Sequence, residues 1–312
     1  MMTAVSAHRL SGIVVGILVI VASLTTVTSP VTAAQIACDP ATPSSPLSST
    51  PVATPPSDAT PEPQAEVSFP EGGGTLTVFA AASLTDAFAE IEGTLESENA
   101  GLDIIVETAG SQTLVTQLRE GAAADVLATA STATMTDAVE SGLISGEPVP
   151  FTGNRLVIVT PADNPAGIDD ISDLTGDGLR LVVAQESVPA GRYARQAICA
   201  WGSSGSAPGN AVDAIGANVV SEEEDVRNVL AKVQVGEADA GIVYTSDATA
   251  SDLSGTPLNV VEFPDGIPTI ATYPIAATVA GNQNLASAFI AYILSADGQA
   301  VLNEYGFSTV AP

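Results

Sequence analysis

Ser83, Ser111, Ala190, Val226 and Tyr244 are where this sequence offers chemistry, and what they offer is hydrogen-bond donation. Four of them follow a strand end or loop and open a helical pattern, while Tyr244 closes an apolar run. A helix start carries unpaired backbone N–H groups and a partial positive charge, so a hydroxyl or open N–H placed there suits an anion. These are neutral donors, and a ring of them can hold a fully deprotonated oxyanion without a counter-charge. Two positions also have plainer readings. Ser83-x-x-Asp86 has capping-box spacing with Asp in place of Glu, so Ser83 could be a helix cap alone. Tyr244 could be an ordinary tyrosine at the edge of a core.

Catalytic groups are scarce. The only histidine, His8, lies in an N-terminal export-type segment, so the mature chain can build neither a Ser-His-Asp or Cys-His site nor a His-based metal site. The single lysine, Lys232, falls on the exposed side of a helical stripe, which argues against a Ser-Lys nucleophile. No phosphate-cradling Gly-rich loop and no dinucleotide fingerprint occur. The acidic run Glu222-Glu223-Glu224-Asp225 reads as a helix N-terminus biased toward acids, with paired-carboxylate chemistry left formally open. Enzyme function and a cofactor are therefore not expected. A hydrolase on a related α/β scaffold is disfavoured by the missing histidine.

The elements that must position the donors follow from hydrophobic patterning. Residues 75–82 form an apolar run without alternation, as in a strand buried on both faces, and Leu84, Phe88, Ile91 and Leu95 then mark a helix. Strands are predicted over 102–108, 124–130, 155–160, 179–184, 240–244 and 271–279. Helices are predicted around Leu114 and Leu118, around Met135 and Ala138, and from Tyr193 to Trp201. Others carry Val226, Val229, Leu230 and Val233 after a Ser221-x-x-Glu224 capping box, or span 285–294 and 299–305. Alternating strands and helices predict an α/β fold with mainly parallel sheets. The strand count favours two lobes, with a ligand at the carboxyl ends of strands.

Composition limits the partners. Against 36 Asp plus Glu there are 8 Lys plus Arg, a net charge of −28, and such a surface repels nucleic acid and anionic lipid. Residues 1–34 contain no acid. His8 and Arg9 precede an apolar core over 13–24 and a small-residue stretch, which predicts a secretory signal cleaved near 33–37. The core is short for a membrane span, and an uncleaved anchor stays open. Residues 35–74, rich in Pro, Ser and Thr, read as a linker or tether. Cys38 could carry a lipid, although Gln35 stands where a lipoprotein signal prefers a Leu-like residue. It could equally pair with Cys199 in a disulfide, or both could be free thiols.

From about residue 75 to 309 the chain resembles the molybdate-binding proteins of molybdate ABC importers. The resemblance is carried by Leu76-Thr77-Val78-Phe79-Ala80-Ala81-Ala82-Ser83-Leu84, Val188-Pro189-Ala190-Gly191, Glu224-Asp225-Val226-Arg227, Gly241-Ile242-Val243-Tyr244 with Asp247-Ala248, and Tyr305-Gly306-Phe307. It implies a two-lobed, periplasmic-binding-protein type II-like fold, with mainly parallel sheets flanked by helices and a cleft between lobes. Lobe I would comprise 75–153 and 246–312 and lobe II 154–245, with crossings near Asn154 and Thr245 to Asp247. By the same resemblance the Ser83, Ser111 and Tyr244 hydroxyls and the backbone N–H groups of Ala190 and Val226 hold molybdate. Molybdenum would be present only as that oxyanion, not as a cofactor. Gly110 and Gln112 flank Ser111 where relatives often have further serines. Arg155, Arg192 and Arg227, among seven basic groups outside the signal, are not expected to be ligands, with Arg192 and Arg227 expected in structural ion pairs.

The implied function is capture of molybdate or tungstate outside the cytoplasm. A monomer would deliver it to the membrane permease and ATPase of an importer, from the periplasm or the outer face of the membrane. Sulfate or another tetrahedral oxyanion is the alternative ligand, and a sensor or adhesion module on the same fold the alternative role. A pocket of donors alone leaves the proton of hydrogen phosphate unpaired, while sulfate must be separated from molybdate by size.

Overall fold

Apolar runs become strands and amphipathic stretches pack over them in the computed structural model, which describes residues 36–38 and 68–309. The expected signal segment and most of the expected linker lie outside the described residues. In chain order the elements are β1 (Gly74–Ala81), a 3-10 turn (Ala82–Leu84), α1 (Thr85–Glu98), β2 (Leu102–Ala109), α2 (Ser111–Arg119), β3 (Val126–Ala128) and α3 (Thr132–Glu140). There follow β4 (Ile144–Pro161), β5 (Leu181–Ala184), α4 (Pro189–Ser203), α5 (Ala211–Ala217), β6 (Val219–Glu223), α6 (Val226–Gln234), β7 (Ala240–Tyr244) and α7 (Thr245–Leu253). The chain closes with β8 (Leu258–Val261), β9 (Ile270–Thr278), α8 (Gln283–Leu294) and α9 (Ala296–Glu304).

The strands run in the order β2-β1-β3-β9-β4-β7-β5-β6, with β8 also on β4. The two wings are parallel, β1 pairing with β2 and β3, and β5 with β6 and β7. The middle is antiparallel. β9 pairs with β3 and with β4, and β4 pairs with β7 and β8. The sheet is thus mixed rather than mainly parallel. A parallel neighbour needs a helical crossover, and β4 and β9 instead meet strands of the opposite sense.

β4 explains how one chain builds two wings. Ile144 to Arg155 pair with β9, and Leu156 to Pro161 pair with β7 and β8, so the strand changes partners between Arg155 and Leu156, next to the expected crossing near Asn154. Near the expected return at Thr245 to Asp247, β7 hands over to α7. The following β8 still pairs with Ile158 to Pro161, which extends the second wing past residue 245. Patterning missed β8, α5 and the first half of β4. The burial of β4 before Phe151 is patchy and includes exposed residues, so no apolar run announces it.

Two expected capping boxes are absent. Ser83 lies inside the 3-10 turn, and neither that turn nor α1 has a side-chain cap. Ser221 lies within β6, where its hydroxyl accepts from Lys232 at 2.9 Å, and α6 is capped by Asp225, whose carboxylate accepts from Asn228 N–H. Lys232 also pairs with Glu223 at 2.6 Å, so it is engaged rather than simply exposed.

Cys38 and Cys199 are joined as a disulfide, with Cα atoms 5.6 Å apart. The open question of the two thiols closes there, and against lipidation of Cys38, because a lipid thioether would need the same sulfur. The bridge fastens the start of the expected linker to α4, and Ile36 packs against the core.

Candidate functional site

Each candidate residue stands where a strand has just ended. β1 delivers Ser83 in the 3-10 turn, β2 delivers Ser111 as the first residue of α2, and Tyr244 is the last residue of β7. Ala190 lies in the first turn of α4, behind Pro189, whose fixed φ suits a helix start. Val226 is the first residue of α6. First-turn N–H groups have no acceptor within their own helix, so both backbones point free donors outward. All five positions line one cavity. All five are buried, none more than 3% exposed.

The close approach of α4 depends on Gly191. A Cβ there would meet the carbonyl oxygens of Gln185 and Ala184 at 2.1 and 2.2 Å, both backbone atoms that cannot swing aside. Glycine therefore lets the helix start pack down onto the end of β5 and carry Ala190 to the cavity.

The hydroxyls are held in specific ways. Ser111 Oγ accepts from the backbone N–H of Ala130 at 3.0 Å. That donor can only donate, so the Ser111 proton is left for another partner. Ser83 Oγ lies 2.8 Å from the Tyr273 hydroxyl. The Tyr244 hydroxyl is buried beside Tyr273 and meets no partner at hydrogen-bond distance and angle. A desolvated, unpaired polar atom is costly, and its presence at a cavity wall is the mark of a group kept for a ligand. Burial, with Tyr273, Tyr193 and Asp247 nearby, pushes the Tyr244 pKa well above its ordinary value, so the hydroxyl keeps its proton.

Charge is kept out of the ligand's way. Asp225 lines the cavity, but its two carboxylate oxygens accept from Asn228 N–H at 2.9 Å and Asn228 Nδ2 at 3.0 Å. Arg227 does not line the cavity. Its guanidinium binds Asp86, approaches Asp247 Oδ1 at 3.1 Å and donates to Ala82 O at 3.3 Å. The expected structural ion pair of Arg227 is therefore formed, and it ties α6 to the first turn of α1. Arg192 makes no ion pair among the described residues, so that expectation fails. Arg155 and Arg192 are likewise absent from the cavity wall.

A second contact joins the wings beside the cavity. Gln112 Nε2 donates to the carbonyl of Glu224 at 3.0 Å, from α2 to the loop before α6.

Sequence reasoning missed two side chains behind the wall. Tyr273, on β9, meets Ser83 from 190 residues away, and Asn154 donates to Tyr273 at 3.3 Å and to Ser246 Oγ at 2.8 Å. Asn154 entered the sequence reading only as a crossing point. A fully buried Tyr and Asn must have partners, but which partners depends on strand order, which patterning does not supply.

Residues 76–308 match the family model described as bacterial extracellular solute-binding protein. The molybdate-binding protein ModA of Mycobacterium tuberculosis is 40% identical over 239 residues, 76% of this chain and 86% of that protein. ModA of Escherichia coli is 35% identical, over 75% of this chain and 89% of that protein. Among solved structures, the substrate-binding domain of a putative molybdenum ABC transporter from Clostridium difficile superposes with a TM-score of 0.56 at 30% identity, covering 76% of this chain and 99% of that one.

Proposed function

We propose that this chain, which belongs to the bacterial extracellular solute-binding protein family, captures molybdate or tungstate outside the cytoplasm for an ABC importer. The observation that carries the reading is the convergence of Ser83, Ser111, Ala190, Val226 and Tyr244 on one buried cavity whose wall offers donors and no cation. Such a wall suits a dianion that brings no proton. Molybdate is the tetrahedral dianion that the relatives' names point to, and tungstate has the same charge and nearly the same size.

In this reading the β2-β1-β3-β9 wing and its helices form lobe I, and the β7-β5-β6 wing and its helices form lobe II. Ser83 and Ser111 come from the first lobe, and Ala190, Val226 and Tyr244 from the second. The anion completes the interface, and Arg227–Asp86 and Gln112–Glu224 latch it. Binding therefore stabilises the closed form, which a membrane permease with its ATPase can distinguish from the open one. The protein performs no reaction. It acts as a monomer, and with Cys38 in the disulfide the proposed tether is an uncleaved N-terminal anchor rather than a lipid on that residue.

Calorimetric titration of the purified protein with molybdate, tungstate, sulfate and phosphate tests the proposal. Expected are tight one-to-one binding of the first two, weak sulfate binding and phosphate binding weaker still. Ser83→Ala should weaken molybdate by about 10- to 100-fold, the worth of one hydrogen bond to a charged group, while the fold survives. Unchanged affinity in that variant would sink the site assignment.

A further inference from the structure

We propose that Asn154 and Tyr273 form a hydrogen-bond relay that fixes the direction of the Ser83 hydroxyl, so that Ser83 can meet the bound anion only as a donor. The proposal rests on oxyanion capture at this site and adds to it the residues that set proton direction.

The relay begins at a group whose direction is not in doubt. The backbone N–H of Ser246, in the first turn of α7, can only donate, and it points at Asn154 Oδ1 at 3.4 Å. That contact assigns the amide, placing Nδ2 toward Ser246 Oγ at 2.8 Å and the Tyr273 hydroxyl at 3.3 Å. An amide nitrogen also only donates, so the Tyr273 oxygen accepts from it. Its own proton then needs an acceptor, and Ser83 Oγ stands at 2.8 Å. Ser83 accepts from Tyr273, and its remaining proton faces the cavity. The opposite order would leave the buried Tyr273 proton only the neighbouring Tyr244 oxygen, with which it makes no hydrogen bond of good geometry, the costlier arrangement.

The surroundings hold this direction. Asn154 and Tyr273 are fully buried, so water does not compete for their hydrogen bonds. The Tyr273 ring is met edge-on by Tyr244, Phe307 and Phe151, with centroids 5.9, 5.7 and 6.4 Å away. Burial pushes the Tyr273 pKa far above its usual value, which keeps the proton in the relay.

A serine hydroxyl left to itself rotates, donating to one ligand and accepting from another. Fixed as a donor it cannot accept the proton of hydrogen phosphate. Ser111 reaches the same state through Ala130 N–H, a backbone donor that no side-chain substitution removes. Tyr273 is thus a positioning residue for both affinity and selectivity; its hydroxyl acts through Ser83, while its ring, which Tyr273→Phe keeps, packs on Tyr244.

The test is a double-mutant cycle of Tyr273→Phe and Ser83→Ala, read by calorimetric titration with molybdate and with phosphate. Tyr273→Phe should weaken molybdate about tenfold and should lower the molybdate-to-phosphate preference by about tenfold or more, since the freed Ser83 can accept. The double variant should match Ser83→Ala within about twofold, because no hydroxyl remains to be oriented. A merely structural role for Tyr273 would weaken both anions alike and would add to the Ser83→Ala loss. Either result, or an unchanged Tyr273→Phe affinity, overturns the relay in a protein that otherwise binds molybdate. Failure of the unaltered protein to bind molybdate would overturn the functional reading, and the relay with it.

Discussion

Replacing Gly110 by alanine should separate closing from folding. Gly110 precedes α2 with φ −56° and ψ 133°, a conformation open to alanine, so the substitution leaves its own helix unstrained. The added Cβ would lie 2.6 Å from the carbonyl oxygen of Glu224 and 2.5 Å from the side chain of Gln112. Gln112 can swing away, but it then gives up its 3.0 Å hydrogen bond to that same carbonyl. The Glu224 oxygen is backbone and belongs to the opposite wing, so the wings must part by roughly half an ångström or more. A lost neutral hydrogen bond costs about 1 kcal/mol, and overpacking about 1–3 kcal/mol more. Together these give about 2–4 kcal/mol, a 30- to 1000-fold loss of molybdate affinity. None of it falls on the open protein. Calorimetric titration should show the loss, and the thermal midpoint of the ligand-free variant should stay within about 2 °C of the original. Unaltered affinity, or an equal destabilisation without ligand, would refute the reasoning that this contact forms on capture.

Tyr244→Phe removes a buried hydroxyl that has no partner, so unfolding without ligand should become about 1 kcal/mol harder or stay unchanged while molybdate affinity drops about tenfold or more. Lower stability with full affinity would contradict it. Asp247 is fully buried, and desolvation raises its pKa from 3.8 to about 6 against the opposing pull of Arg227. A folded-state pKa above the unfolded one contributes stability that is complete below about pH 4 and is lost as pH rises through about 6. The loss is up to about 3 kcal/mol. Denaturant titrations at pH 5 and pH 7.5 should show this component in the original protein and lack it in Asp247→Asn; matching pH profiles would discount it. Reducing the Cys38–Cys199 bridge, which spans 161 residues, should lower stability by as much as about 5 kcal/mol on the chain-entropy model. Thermal unfolding with and without reductant measures this, and coincident curves would mean that the bridge constrains little.

The lining of the cavity was more legible than the fold. Ser83, Ser111, Ala190, Val226 and Tyr244 occupy local punctuation points, where an apolar strand ends and a helix begins, and such points leave a mark in a short window of sequence. Tyr273 leaves none, because its importance comes from lying across from Ser83 in a sheet where β3 separates their strands. The antiparallel middle escaped for a related reason. The apolar runs that mark β9 and the second half of β4 say nothing about strand direction, which follows from connections that patterning does not order. Ser221-x-x-Glu224 shows the opposite failure, a valid local motif overridden because Ser221 was already committed to β6. The disulfide was legible only as one option beside lipidation and free thiols, since pairing depends on bringing Cys38 alongside α4.

The cation-free wall of the cavity, set in a molecule of net charge −28, separates how the anion arrives from how it is kept. At long range the protein repels a dianion, which slows encounter, whereas inside the cavity the grip comes from short-range dipoles whose reach is a few ångströms. Added salt screens the first effect and scarcely touches the second. The association rate should therefore rise with ionic strength while dissociation stays nearly constant, the reverse of a receptor that draws its anion in with lysines. Such a protein would gain affinity in brine.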